Sequence, residues 1–260
     1  MHPMLNIAVR AARRAGTVIN RALNRLGDIH VDTKGHQDYV TEIDREAEAT
    51  IIQTLLDAYP THAIIAEESG EQGTSDFVWV IDPLDGTTNF LHAYPQFAVS
   101  IALKIRGELD QSVIFDPVRD ELFTASRGAG AQLNNRRIRV SDCRSLDTAL
   151  LATGFPVRNT KILEPYLPTL AAFLPRVAGV RRAGAASLDL AFVACGRLDG
   201  FWEFGLQQWD IAAGALMVQE AGGIITAPDG ASDYLRSGNV LCGSPRIHRE
   251  MADTLAQHMR

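Results

Sequence analysis

The spacing of apolar residues predicts two helices and then two buried strands in the first part of the chain. Apolar positions recur at helical spacing over 5–26, with Gly27 as the expected end of that helix. The polar segment 32–38 is expected to form a mobile loop, and a second helix is expected from Thr41 until shortly before Pro60. Short apolar runs at 63–66 and 77–81 are typical of strands in a sheet interior, with a polar loop at 71–76 between them.

The pattern changes after residue 97. Apolar runs at 97–105, 112–115, 121–125 and 132–133 are separated by turn-forming pairs, which predicts an antiparallel meander. In the second half, strands are expected at 149–153, 177–181, 200–204, 224–226 and 240–242, and helices at 163–174, 188–194, 210–221 and from 246. The antiparallel middle favours a layered α/β sandwich over a doubly wound sheet.

Composition narrows the protein class. The chain has 260 residues, 46% of them hydrophobic and 22% charged, which is typical of an ordinary soluble globular protein. A net charge of −6 gives no general attraction to nucleic acid or anionic membranes. The apolar runs are too short to span a bilayer, and no signal peptide is expected at the start. Cys143, Cys195 and Cys242 fit neither a disulfide framework nor a zinc site, so we expect a cytoplasmic protein.

The segment 82–89, Asp-Pro-Leu-Asp-Gly-Thr-Thr-Asn, carries the strongest chemical signal. Pro83 is expected to end the preceding strand at Asp82. Asp82, Asp85 and a turn rich in N–H donors predict a site for a hard cation that faces an anion. Asp-Pro and Asp-Gly are also ordinary turn pairs. A partly desolvated carboxylate at a strand end is costly without a cation, and this favours a site.

Several other acids allow both a structural and a functional interpretation. Asp44 follows Thr41 at the spacing of a helix capping box. Asp210 heads an alanine-rich helix, where aspartate is a common N-cap. Glu67 and Glu68 end the strand at 63–66, and alternation allows one of them to point into a site. Glu203 lies among large apolar residues and could simply occupy an exposed edge.

Taken together, these segments resemble the inositol monophosphatase family of Mg²⁺-dependent, lithium-sensitive phosphatases. Residues 82–89 resemble its first signature, and the segment from Trp209 to Gly214 resembles its second. The first ten residues resemble the bacterial SuhB-type branch. The resemblance runs through nearly the whole chain. It implies one domain, a layered αβαβα sandwich of the inositol monophosphatase and fructose-1,6-bisphosphatase type, in which halves of about 1–145 and 146–260 pack together.

The resemblance implies two or three Mg²⁺ ions per site, with Mn²⁺ as a possible substitute. Oxygen ligands without a thiolate or histidine pair suit these ions, and clustered carboxylates need cations to offset their repulsion. Two ions about 4 Å apart suit in-line displacement at phosphorus, with one activating water and the other stabilising the leaving oxygen. The expected ligands are Glu67, Asp82, Asp85, Asp210 and the carbonyl oxygen of Leu84.

The family pattern also assigns roles in catalysis and substrate binding. Glu67 is expected to act in catalysis, and Thr87, paired with Asp44, is expected to orient the attacking water. The expected substrate contacts are Lys34, Asp85, Gly86, Thr87, Thr88, Arg181, Gly184, Ala185, Ala186, Glu203 and Asp210. The N–H groups of Gly86 and Thr87 are expected to bind phosphoryl oxygens.

The implied activity is Mg²⁺-dependent hydrolysis of myo-inositol 1-phosphate and similar polyol phosphate monoesters. The alternatives within enzymes are fructose 1,6-bisphosphate, histidinol phosphate and phosphoadenosine phosphate. A SuhB-like role in binding RNA polymerase during transcription antitermination is the alternative outside catalysis. The resemblance also implies a homodimer, and we expect no membrane association and no direct binding of nucleic acid.

Overall fold

A computed structural model describes residues 2–26, 31–35, 38–156 and 160–258, with the backbone alone at 31–35, 38–40 and 160. The described helices are α1 (Pro3–Leu23), α2 (Glu42–Ala58), α3 (Thr87–Leu91), α4 (Thr160–Phe173), α5 (Ala186–Ala194), α6 (Gln208–Glu220), α7 (Tyr234–Ser237) and α8 (Pro245–His258). The described strands are β1 (Val31–Gly35), β2 (Asp38–Thr41), β3 (Ala63–Ala66), β4 (Gly70–Gln72), β5 (Phe77–Asp85), β6 (Ala98–Ile105), β7 (Glu108–Asp116), β8 (Glu121–Ser126), β9 (Gly130–Leu133), β10 (Arg136–Arg137), β11 (Leu150–Thr153), β12 (Gly179–Arg181), β13 (Gly200–Glu203), β14 (Ile224–Thr226) and β15 (Val240–Gly243).

The two N-terminal helices form where the apolar spacing predicts them. Pro3 opens α1, where its missing N–H is no loss, and α1 buries a stripe of small and apolar residues that includes Ala12 and Ile19. Thr41 and Asp44 form a capping box at the start of α2. The polar segment expected to be a mobile loop instead contains the antiparallel pair β1 and β2, with a register shift near Gly35. That prediction was wrong because ladder hydrogen bonds stabilise polar strands without an apolar pattern.

The larger sheet has the strand order β10-β9-β8-β7-β6-β5-β3-β4. Its strands pair antiparallel except for β3 and β5, which are parallel. The predicted meander is therefore confirmed. Part of the expected loop at 71–76 forms β4, which pairs with β3 through a tight turn that brings Gly70 opposite Ala66.

The smaller sheet is mixed and has the order β12-β11-β13-β15-β14. Strand β11 lies parallel to both β12 and β13, while β15 is antiparallel to β13 and β14. The first sheet uses residues before 138 and the second uses residues after 149, near the expected boundary between the two halves. That the halves form one domain stays a prediction.

Helices separate and cover the two sheets. Helices α1 and α2 pack on one face of the larger sheet, α5 and α6 lie between the sheets, and α8 with α4 covers the outer face of the smaller one. A Cβ at Gly214 of α6 would collide with Leu190 of α5, so glycine permits their close contact. The five layers confirm the predicted αβαβα sandwich. Among the helices that the structure describes, none combines the length and the hydropathy of a transmembrane span.

Candidate active site

A cavity of about 770 Å³ opens where ends of both sheets and the N-terminal ends of α5 and α6 meet. Segments distant in sequence meet here because the layered fold places these strand ends and helix N-termini on the same side. Twelve of the expected site residues line the cavity: Glu67, Asp82, Leu84, Asp85, Gly86, Thr87, Thr88, Gly184, Ala185, Ala186, Glu203 and Asp210.

The course of β5 differs from the expectation. Pro83 does not end the strand at Asp82, because β5 continues through an irregular register to Asp85, which lies opposite Ala98. A proline is tolerated at such an irregularity, where no ladder donor is required. The Asp82 side chain accepts the N–H of Leu84 at 3.0 Å within this bend. The irregularity therefore brings both aspartates and the intervening backbone to the cavity.

Gly86 ends this segment in a conformation that only glycine adopts readily there. Its φ is +95°, and a Cβ would lie 2.8 Å from the carbonyl oxygen of Gln96. Helix α3 begins immediately afterwards at Thr87. The tight turn therefore places Thr87 beside Asp85 at the cavity wall.

The acids at the cavity are close enough to raise one another's pKa values. Burial, followed by the charges of Glu67, Asp85 and Asp210, raises the pKa of Asp82 well above its ordinary value. Burial and the nearby Asp85 likewise raise the pKa of Asp210. A hydrogen bond between Glu67 and Asp82 contributes to the raised pKa of Asp82. The fold thus brings together acids whose ionisation is unfavourable because of their burial and their mutual repulsion.

This donor set fits a hard divalent cation because it consists of carboxylate and carbonyl oxygens. No group of three or more His, Cys, Asp or Glu side chains in the described parts of the chain forms a ready coordination shell. The carboxylates would therefore have to draw closer around an ion. Burial and the neighbouring acids raise the pKa values of Asp82 and Asp210, and a cation bound nearby would lower both.

Asp85 connects the two halves of the cavity wall. One of its carboxylate oxygens accepts both the N–H and the hydroxyl of Ser187, at 2.7 and 2.5 Å. Ser187 lies in the first turn of α5, where negative charge is favoured by the unsatisfied N–H groups and the helix dipole. Helix α5 therefore orients Asp85, which lies at the end of β5 in the larger sheet.

Asp44 forms the predicted capping box and also contacts Thr87, while its role in catalysis stays a prediction. One of its carboxylate oxygens closes the capping box by accepting the N–H and the hydroxyl of Thr41, at 2.8 and 2.5 Å. The other oxygen accepts the hydroxyl of Thr87 at 2.9 Å. Burial raises the pKa of Asp44, and the hydrogen bonds from Thr41 and Thr87 oppose that rise. The cap thus orients the acid that holds Thr87.

The opposite wall comes from the second half of the chain. Asp210 is the third residue of α6 rather than its N-cap, and it accepts the N–H of the cap residue Gln207 at 2.7 Å. The Glu203 carboxylate lies against Gly154, where a Cβ would occupy the same space. Gly184, with a φ of +86°, forms the turn before α5. These residues shape a polar wall facing the acids of β5.

Two expected substrate contacts have a different outcome. Arg181 is exposed and does not line the cavity, whereas its neighbour Arg182 does, with its guanidinium carbon 5.4 Å from the ring centroid of Phe155. Adjacent residues of an extended chain point to opposite sides, and this separates the two arginines. The side chain of Lys34 lies outside the described residues.

Sequence reasoning missed other residues that shape the site. Asn89, the last residue of the first motif, lines the cavity and donates from its side-chain amide to the carbonyl oxygens of Gln96 and Ala183, at 2.7 and 2.9 Å. Its position within the motif was a usable signal. Ser187 contacts Asp85, which is 102 residues away in sequence, and nothing local indicated that partner.

Comparison with known proteins gives consistent findings. The model of the inositol monophosphatase family matches residues 1–260. The chain is 55% identical over 265 aligned positions to the Nus factor SuhB of Pseudomonas aeruginosa, covering 100% of this chain and 98% of that protein. It is also similar to the crystal structure of the extragenic suppressor protein suhB from Bartonella henselae, with 45% identity, a TM-score of 0.95 and 98% of each chain covered. The inositol monophosphatase from Anabaena has a TM-score of 0.87 at 40% identity, covering 98% of this chain and 95% of that one.

We expect the carboxylate cluster to make stability fall as the pH rises. Because the folded pKa of Asp82 lies above the ordinary value of 3.8, its favourable contribution is complete below that pH and is lost as the pH rises through the raised pKa. Thermal unfolding in EDTA should therefore show a midpoint that falls with pH above about 4, and Mg²⁺ should restore it.

Asp82→Asn should weaken both responses, since it removes the charge while keeping an oxygen for the N–H of Leu84. Asp253→Asn, at an exposed position of α8, is the matched control and should behave as wild type. Equal pH and Mg²⁺ responses in wild type and Asp82→Asn would contradict the assignment.

Proposed function

Because the chain belongs to the inositol monophosphatase family, we propose that it is a Mg²⁺-dependent phosphatase. Its substrates are myo-inositol 1-phosphate and similar polyol phosphate monoesters, which it hydrolyses to the free alcohol and phosphate. The observation that carries this proposal is the cavity at which Glu67, Asp82, Asp85 and Asp210 meet the Thr87–Asp44 pair. The solved structure of a relative, SaIMPase-II, is described as bound to inositol monophosphate.

The proposed metal ligands divide into two groups. Glu67, Asp82 and the Leu84 carbonyl would hold one Mg²⁺ ion, and Asp82, Asp85 and Asp210 would hold a second. A third Mg²⁺ would complete the set, and Mn²⁺ could replace Mg²⁺. When bound, such ions supply Lewis-acid activation of water and stabilise the leaving oxygen. The cluster has the chemistry for this because it supplies oxygen donors and excess negative charge. The family resemblance further implies inhibition by lithium.

Thr87 orients the attacking water in this proposal. Its hydroxyl donates its proton toward Asp44, so the oxygen lone pairs can accept a hydrogen bond from a water molecule. The same hydroxyl also lies 3.1 Å from the Leu84 carbonyl oxygen, which keeps it near a proposed metal ligand. Asp44 is fixed in turn by the helix cap, so the water-binding group is preorganised.

Substrate recognition follows from the remaining cavity wall. The N–H groups of Gly86 and Thr87 bind the phosphoryl oxygens, where they oppose the charge that grows during hydrolysis, and Thr88 contacts the substrate beside them. Glu203 and Asp210 accept hydrogen bonds from polyol hydroxyls, and the turn at 184–186 contacts the ring. Arg182, rather than Arg181, adds positive charge near the phosphate ester.

Other properties of the protein are inferred from the family resemblance. We propose a homodimer that acts in the cytoplasm. Cys143, Cys195 and Cys242 are free thiols in the structure, which suits a reducing compartment.

A second candidate function is a role in transcription antitermination through RNA polymerase. The relatives from Pseudomonas aeruginosa and Escherichia coli, at 55% and 51% identity, are both named Nus factor SuhB. A binding role of this kind is compatible with hydrolysis, because Asp82 and its neighbours are buried in a cavity and leave the outer surface for a partner.

We expect the purified protein to release phosphate from myo-inositol 1-phosphate in a Mg²⁺-dependent reaction that EDTA abolishes. Asp85→Asn should lower kcat/KM by about 10²-fold or more, since a ligand charge is lost. Colorimetric phosphate assays should include fructose 1,6-bisphosphate, histidinol phosphate and phosphoadenosine phosphate as competing substrates. Asp253→Asn is the control, and absence of phosphate release from every ester would refute the proposal.

Thr87→Ala should lower kcat by about 10²-fold while changing KM only slightly, because the hydroxyl acts on water rather than on the substrate. Thr87→Ser keeps the hydroxyl and should retain most of the activity. Steady-state kinetics at saturating Mg²⁺ test this. A rise in KM with unchanged kcat would show instead that Thr87 contributes only to substrate binding.

For the second candidate function, we expect immobilised wild-type protein to capture purified RNA polymerase and Asp85→Asn to capture it equally. The reason is that Asp85 is part of the cavity wall and is held by Ser187 inside the fold. Quantitative pull-down measures this. Failure of wild-type protein to bind polymerase would remove the second candidate and leave the phosphatase proposal intact.

A further inference from the structure

Glu48 is a buried acid that the proposed chemistry leaves unused. It lies in α2, and only 3% of its surface is exposed. One carboxylate oxygen accepts the backbone N–H of Glu68 at 2.8 Å, and the other accepts that of Ser69 at 2.9 Å. A buried carboxylate is costly unless its charge is compensated, so the two N–H groups are the partners that make this position tolerable.

Both donors belong to the turn that begins at Glu67. The N–H of Glu68 is part of the peptide group that follows Glu67, so binding it fixes the orientation of that peptide plane. On the other side, the N–H of Glu67 donates to the carbonyl oxygen of Ile81 in β5 at 3.2 Å. The backbone of Glu67 is therefore held from both directions, and its side chain lines the cavity.

Glu48 lies on the same side of α2 as Asp44, the residue that binds Thr87. Asp44 and Glu48 are four residues apart, so they lie one turn from each other on the same side of the helix. Asp44 binds Thr87 after β5, and Glu48 binds the turn after β3. One side of α2 thus holds two of the segments that form the cavity.

We propose that Glu48 is a positioning residue that sets the direction of the Glu67 carboxylate for ion binding. This inference rests on the proposed function, because it takes Glu67 as a metal ligand. Its effect is on ion affinity, since Glu48 contacts the backbone beside Glu67 and reaches neither the substrate nor the reacting atoms.

The chain contains a matched control for a purely structural role. Glu220 also binds two backbone N–H groups through its two oxygens, those of Gly128 and Gly130, each at 2.7 Å. These glycines lie at the turn between β8 and β9, and neither they nor Glu220 line the cavity. Glu220 therefore makes the same pair of hydrogen bonds as Glu48, at a half-buried position and without a link to Glu67.

The test compares Glu48→Gln with Glu220→Gln. Glutamine keeps the side-chain shape and one acceptor oxygen, but its NH₂ group opposes the second backbone donor. Ion affinity is measured directly by titrating Tb³⁺, whose emission Trp209 at the cavity can sensitise, and by displacing Tb³⁺ with Mg²⁺. Thermal unfolding midpoints and the Mg²⁺ dependence of phosphate release are recorded for each variant.

We expect Glu48→Gln to weaken Tb³⁺ and Mg²⁺ binding by about tenfold or more, as is typical for residues that orient metal ligands. Saturating Mg²⁺ should restore kcat to within about threefold of wild type. Glu220→Gln should bind both ions as wild type does, even where its unfolding midpoint falls by a similar amount. Wild-type ion affinity in Glu48→Gln, or an equal loss in Glu220→Gln, would overturn the proposal.

The comparison remains decisive if the protein lacks phosphatase activity or if Glu48→Gln does not fold. If the wild-type protein binds Tb³⁺ and Mg²⁺ but hydrolyses no phosphate ester, the proposed function fails, while the affinity comparison still decides the role of Glu48. If Glu48→Gln does not fold, Glu48→Asp takes its place, because it keeps the charge but shortens the reach by one methylene group. Wild-type ion affinity in Glu48→Asp would then overturn the proposal.

Discussion

The site depends on the repulsion between carboxylates that the fold brings together away from water. Asp82 is only 1% exposed, and its burial, followed by the charges of Glu67, Asp85 and Asp210, raises its pKa. Such a cluster is unfavourable for folding unless hydrogen-bond donors or cations offset it. N–H and hydroxyl donors offset part of the unfavourable free energy of this cluster. A bound cation would offset the remainder, and this makes the cavity suited to cations.

The donors that offset the charge come mainly from the backbone. Asp82 accepts the N–H of Leu84, Asp85 accepts that of Ser187, and Asp210 accepts that of Gln207. Two of these donors lie at the starts of α5 and α6, where unsatisfied N–H groups favour negative charge. Helices α5 and α6, which lie between the two sheets, therefore have two roles. They fill the core, and the N–H groups at their starts orient Asp85 and Asp210.

Much of the fold followed from apolar patterns, because α1 buries one face and central strands such as β6 are buried on both faces as continuous apolar runs. The helices α1 and α2 and the meander agree with the predictions from apolar spacing, and the five-layer sandwich agrees with what the family resemblance implied. The polar strands β1 and β2 lacked such a pattern and were expected to be a loop. Pro83 was expected to end β5, but an irregular register lets the strand continue without the missing donor.

The candidate site was predictable to the extent that its residues lie in recognisable local motifs. The acids and the turn after Asp85 lie in such motifs or at strand ends, and the structure brings them to one cavity. The choice of Arg181 over Arg182 depended on which side of an extended chain faces the cavity, and their sequence does not specify that side. Ser187 and Glu48 remained hidden because their partners lie 102 and 20 residues away.

Helix α2 shows how stability and a functional arrangement arise from the same residues. One carboxylate oxygen of Asp44 closes the capping box with Thr41, and the other accepts the hydroxyl of Thr87 at the cavity wall. Glu48, one turn later in α2, also combines two effects. The hydrogen bonds that compensate its buried charge also hold the backbone beside Glu67. An acid that caps a helix or a turn is therefore not excluded from a functional role. Its second oxygen, or the segment that it holds, decides whether it has one.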